Sequence, residues 1–125
     1  MSLRIVIADD AAFIREIIQQ VCEKKGWQIV GEADNGIEAV EVALREKPDI
    51  VIMDLIMPHK SGIDATKEIL EAVPDMTIIA CSTVDEPNLI MRALDAGCVN
   101  YITKPFEAKQ LIDVMSSAHA RAKRS

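Results

Sequence analysis

Positive charge is in deficit along this chain: 14 lysines and arginines stand against 20 aspartates and glutamates, a net charge of -6. Such a surface repels polyanions, which argues against broad binding to nucleic acid or to an anionic membrane and leaves room only for a local basic patch. Cysteine is sparse as well. Cys22, Cys81 and Cys98 are scattered, odd in number and without the close pairing of a zinc site or a disulfide framework, which fits a reducing compartment and three small core residues. Long apolar runs are missing. The amino-terminal one is broken at Asp9 and Asp10, so it reads as neither a signal peptide nor a membrane span. No low-complexity segment or linker interrupts the 125 residues, half of them apolar, which is enough for one packed core and too little for two ordinary domains. The expectation is one soluble, cytoplasmic, monomeric domain over residues 1–125.

What is present is an alternation of short β-branched runs with stretches of helical period. Leu3 to Ala8 reads as a first strand, followed by a helix with Phe13, Ile14, Ile17, Ile18, Val21 and Cys22 on its packed face and Gly26 at its end. Gln28 to Ala33 is a second strand. Ile37, Val40, Ala43 and Leu44 line a second helix that must stop by Pro48, and Asp49 to Met53 is a third strand. Ile63, Thr66, Ile69, Leu70 and Val73 mark a third helix, Met76 to Cys81 a fourth strand, and Asp85-Glu86-Pro87 opens a helix closed by Gly97. Val99 to Thr103 is a fifth strand. The last helix starts near Glu107, carries Leu111, Ile112 and Met115, and ends in a basic cluster, Arg121 to Arg124, suited to a helix carboxyl terminus. Five such pairs predict right-handed crossovers and a doubly wound parallel sheet with helices on both faces.

In such sheets ligands bind beyond the carboxyl ends of the strands, where the winding reverses. The first strand ends in Asp9-Asp10, the third in Asp54, the fourth in Ser82-Thr83 and the fifth in Thr103-Lys104-Pro105. Asp54 is the only charge in the run Ile50 to Pro58, and a buried carboxylate is costly unless paired, metal-bound or protonated. Three clustered carboxylates repel one another, a repulsion that a hard divalent cation such as Mg2+ relieves. With a lysine and a hydroxyl beside them, they form the parts needed for phosphoryl transfer to a carboxylate nucleophile.

The chain thereby resembles the receiver domains of bacterial two-component response regulators, in the acidic pair of Ile-Ala-Asp-Asp-Ala, the acceptor of Ile-Met-Asp-Leu-Ile-Met-Pro, Gly62, the hydroxyl of Ala-Cys-Ser-Thr, and Tyr-Ile-Thr-Lys-Pro-Phe. The likeness covers the whole chain. It implies a flavodoxin-like strand order 2-1-3-4-5, with Asp54 accepting phosphate from a histidine kinase. By the same resemblance, Asp10, Asp9, Asp54 and the backbone carbonyl of Ile56 hold Mg2+, Lys104 pairs with a phosphoryl oxygen, and Ser82 swings to bond another. Tyr101 then turns inward and changes the surface of the fourth helix, fifth strand and fifth helix. Lys104-Pro105 is expected to be cis. The implied output is control of a target protein in chemotaxis, such as a flagellar motor switch component. Alternatives are a phosphorelay intermediate working with a histidine phosphotransfer protein, or a receiver cut from a larger regulator.

Single residues have plainer readings: Asp10 as a helix cap, Ser82 as a loop hydroxyl, Lys104 as a solvated charge, Tyr101 as packing. Those readings leave the convergence of strand ends unexplained. His59 and His119 read as solvated, and the methionines as packing residues. Among enzymes, a haloacid-dehalogenase-like phosphohydrolase also uses an aspartyl nucleophile after an apolar strand, but it needs a second aspartate where this chain has Ile56. A flavodoxin-like cofactor binder would need a glycine- and hydroxyl-rich loop where Asp9 and Asp10 stand. The chain is therefore not expected to be a turnover enzyme. Apolar Ile56 and Val84, with Thr83, point to restricted access and a long-lived acyl phosphate.

Overall fold

The computed structural model describes residues 2–82 and 87–124, with side chains up to Ala120. Five strands and five helices alternate: β1 (Arg4–Ala8), α1 (Ala12–Lys24), β2 (Gln28–Ala33), α2 (Gly36–Glu46), β3 (Ile50–Asp54), α3 (Gly62–Ala72), β4 (Ile78–Ser82), α4 (Pro87–Ala96), β5 (Asn100–Thr103) and α5 (Ala108–Arg124). All four strand pairings are parallel, in the order β2-β1-β3-β4-β5. A register shift between Ile5 and Val6 marks the β1–β2 pairing. The chain winds one way from β1 to β2 and then crosses to the other side of β1 for β3. The reversal lies between β1 and β3, whose carboxyl ends carry Asp9 and Asp54.

Strand alternation splits the core into two layers. Val6, Ala8, Val51, Met53, Ile78 and Ala80 pack with α2, α3 and Ala93 of α4. Ile5, Ile7, Ile50, Ile52, Ile79 and Cys81 pack with α1 and α5, including Ile18, Cys22, Leu111 and Met115. Every residue of β3 and β4 is buried, and each fully buried aliphatic side chain contributes roughly 1.5–3 kcal/mol. The three cysteines are free and buried. Among the described residues, no helix is long and apolar enough to cross a membrane.

The helix ends follow their local chemistry. Asn35 caps α2 by accepting from the Glu38 amide, and Ser61 caps α3 by accepting from Asp64. Gly26, with φ of 76°, ends α1, and Trp27 N–H returns to the Cys22 carbonyl at 2.9 Å in a Schellman arrangement. Two packing expectations are corrected. Phe13 and Ile17 are 65% and 43% exposed, and Ile37 of α2 is exposed as well. The six apolar positions expected on one face of α1 span roughly half of the helix circumference at about 100° per residue, more than one sheet contact can cover. The part led by Ile18 and Cys22 is buried, and the Phe13–Ile17 side is left outside. β3 and β4 also run one residue further than expected, so Asp54 and Ser82 are themselves strand residues. The expected cap at Asp85, and Thr83 and Val84, lie outside the described residues, as do the side chains of the basic cluster at Arg121 to Arg124.

Candidate functional site

The sheet delivers its polar residues to one edge. Asp9 follows β1 directly, and its N–H donates to the Ala33 carbonyl of β2 at 2.9 Å. Asp54 closes β3. The Lys104 N–H donates to the Ser82 carbonyl at 2.7 Å, which ties the end of β5 to the end of β4. Asp9 and Asp54 are 1% and 5% exposed, while Asp10 stands outside. Carboxylate oxygens of Asp9, Asp10 and Asp54 all lie within 4.8 Å of one another. Lys104 Nζ donates to Asp9 Oδ2 at 2.5 Å and lies 3.6 Å from Asp54 Oδ2. The other oxygen of each acid takes a backbone amide: Ala11 N–H on Asp9 at 2.9 Å, and Ile56 N–H on Asp54 at 3.3 Å.

Burial, then the neighbouring charge of Asp9, pushes the Asp54 carboxyl up to about 6; Lys104 and the Ile56 amide pull the other way, and Asp10 adds a further push. Burial pulls the Lys104 ammonium down, but its hydrogen bond to Asp9 and the charges of Asp54 and Asp9 outweigh that and leave it raised. Lysine alone therefore does not balance the site. Three carboxylates against one ammonium leave an excess of two negative charges, which adds to the larger effect of burial in raising Asp54. An all-oxygen set with that excess suits a hard divalent cation of the Mg2+ type. The residues present thus fit such an ion, and none of them is a soft ligand.

A cleft of about 480 Å³ opens over these groups, lined by Asp10, Phe13, Ile14, Asp54, Ile56 and Lys104 with Ala11 and Pro105. Asp9, Asp10, Asp54 and Lys104 are thus brought together as the strand ends indicated. Ser82 is buried at the tip of β4, and the Lys104–Pro105 peptide is cis. Ile56 is 58% exposed at the cleft wall, and Tyr101 is 43% exposed on β5. Asp10 does not cap α1: the N-cap position is Ala11, with no side-chain bond. Sequence reasoning missed Arg15, whose guanidinium donates to the Asp9 carbonyl. Its position one turn after the acidic pair was the available signal. Phe13 was read as core instead of cleft wall.

Fold and pocket together define a class, the doubly wound α/β modules with an acidic site at the switch point. The pattern of the response regulator receiver domain matches residues 5–116. The chemotaxis protein CheY of Thermotoga maritima is 41% identical over 93% of this chain and 97% of its own length. The transcriptional regulatory protein PdtaR of Mycobacterium tuberculosis is 42% identical over 94% of this chain but only 57% of its own. Among solved structures, a CheX–CheY–BeF3–Mg2+ complex from Borrelia burgdorferi is similar with a TM-score of 0.88 and 28% identity, over 92% of this chain and 88% of that one. The chain belongs to the response regulator receiver domain family, the phosphorylation-activated modules of two-component signalling.

Proposed function

We propose that Asp54 accepts a phosphoryl group from a phosphohistidine on a partner histidine kinase, and that the phosphorylated domain controls a target protein. The observation that carries this is the buried Asp54 carboxylate at the floor of the cleft, 3.6 Å from Lys104 Nζ and clustered with Asp9 and Asp10. In the transfer, an Asp54 oxygen forms a bond to phosphorus as the phosphorus–nitrogen bond breaks; the imidazole keeps the electron pair and then takes a proton. Asp9, Asp10, Asp54 and the Ile56 carbonyl would hold Mg2+, which when bound supplies positive charge to the phosphoryl oxygens. Lys104 moves from Asp9 towards a phosphoryl oxygen, and Ser82 donates its hydroxyl to another. Ile56, replacing the carboxylate of a phosphohydrolase, leaves no base to activate water, so the domain accepts phosphate without turnover on a separate substrate.

The dianion created on Asp54 biases Ser82 and the Tyr101 ring between two packings, and α4, β5 and α5 change surface. Support for a protein target on that side comes from exposed Met91, Val99 and Tyr101. Likeness to chemotaxis proteins over almost their whole length favours a chemotaxis pathway, with a flagellar motor switch component as the target. The domain acts as a cytoplasmic monomer. Incubation with Mg2+ and a small phosphodonor should give an acid-stable, base-labile adduct that is lost in Asp54→Ala. Labelling that survives this substitution would place the acceptor elsewhere.

A further inference from the structure

Only Asp9, Asp10 and Ala11 join β1 to α1. The helix begins there without the usual aids: Ala11 gives no side-chain cap, and no acidic residue stands in the first turn. Arg15 reaches back instead. Its Nη1 donates to the Asp9 carbonyl at 2.7 Å, and its Nε donates to Glu32 Oε1 on β2 at 3.0 Å. Every polar group of Asp9 then has a partner: its N–H on Ala33, its carbonyl on Arg15, one carboxylate oxygen on the Ala11 N–H and the other on Lys104. Asp10 is exposed, and it lies between Asp9 and Ala11, whose N–H donates to the Asp9 carboxylate and whose carbonyl accepts from the Ile14 and Arg15 amides.

An exposed Arg–Glu pair alone contributes little, and a positive charge near an acidic pocket should weaken cation binding. Here Glu32 takes Nε and neutralises the guanidinium, whose Nη1 is spent on a backbone carbonyl. Orientation therefore outweighs repulsion. We propose that Arg15, held by Glu32, is a positioning residue for the acidic pair: by fixing the Asp9 carbonyl it sets the direction in which the Asp10 carboxylate meets a divalent cation. This rests on the reading of the pocket as a cation site.

The test is Mn2+ titration followed by the electron paramagnetic resonance of the free ion, on the whole chain at one pH, with circular dichroism to verify folding. Partners that orient metal ligands typically matter by 10–100-fold, so Arg15→Ala and Arg15→Lys are each expected to bind about tenfold more weakly. Lysine keeps the charge but lacks the fork that spans both acceptors. Glu32→Ala should weaken binding, whereas Glu32→Gln, which still accepts from Nε but leaves the guanidinium charge unneutralised, should bind between Glu32→Ala and the parent. If Arg15→Ala does not fold, Arg15→Lys and the two Glu32 variants carry the same test. Equal or tighter binding by Arg15→Ala, full affinity in Arg15→Lys, or Glu32→Gln as weak as Glu32→Ala overturns the inference alone. A parent that binds no Mn2+ overturns the cation-site reading together with it.

Discussion

Asp54 closes a fully buried strand, and its carboxyl, pushed up to about 6, lies above the roughly 3.9 of an unfolded chain. A raised acid is favoured by folding in its protonated form. That contribution is fully present below the unfolded value and is lost as pH rises from about 4 to about 6. Asp54→Asn keeps the shape and removes the charge. In metal-free buffer the variant is expected to exceed the parent in stability by about 1–3 kcal/mol at pH 7, with the gap closing towards pH 4. Urea unfolding across that range checks it, and a pH-independent gap would mean that the Asp54 charge is not the source. Ile56 bears on the phosphorylated state instead: 58% exposed on the cleft wall, it has no group to hold attacking water. Ile56→Asn should speed autodephosphorylation, by less than the roughly hundredfold or more that a proton-transferring residue brings; an unchanged or longer adduct lifetime would sink the idea. The candidate residues were legible because each ends an apolar strand. Their pairing was not: Lys104 bonds Asp9 and stands further from Asp54, a choice set by side-chain reach across three strands that no spacing in the sequence encodes.

Elements hold this geometry through close backbone contact. Gly62 opens α3, and its N–H donates to the Leu55 carbonyl at 3.0 Å. A Cβ there would lie 2.0 Å from the Asp54 carbonyl oxygen and 2.8 Å from Leu55 Cα. Backbone atoms cannot swing aside as a side chain would. Gly62→Ala should gain less than about 1 kcal/mol from helix propensity but lose about 1–3 kcal/mol or more to overpacking, so the loss wins. The expected outcome is a lower urea midpoint; an unchanged one would mean that α3 moves away at no cost. His59, on the same loop, sits at φ of 70°, a conformation that favours glycine. Element order and type were legible from the change between strand and helix periods. The packed arc of α1 was not, because Phe13 and Ile17 belong to the same apolar stripe as Ile18 and Cys22. Which part of a broad stripe meets the sheet depends on how the whole helix is seated, and that is a tertiary property.

For the whole molecule, the net charge of -6 and the pocket's own excess of carboxylates act in the same direction. The architecture was legible because strand–helix alternation with short connections leaves few topologies, whereas the strand order came from likeness to a family and is found as expected. A fold that gathers like charges at its switch point gives up stability there, and a ligand that binds only the folded pocket returns it. Mg2+ at tenfold its dissociation constant should add about 1.4 kcal/mol. For a chain of this length that corresponds to a rise of about 5 °C in Tm. The rise should exceed that from KCl at equal ionic strength, because screening acts on the whole surface and coordination acts on one pocket. It should shrink at pH 5, below the value near 6 at which Asp54 takes up its proton. Asp10→Asn should lose most of it, since the variant removes one of the three clustered carboxylate charges that would hold the ion. Differential scanning calorimetry of parent and variant settles the point: an equal Mg2+ shift in both, or none in either, would remove the acidic pocket as the place where a cation and the fold are coupled.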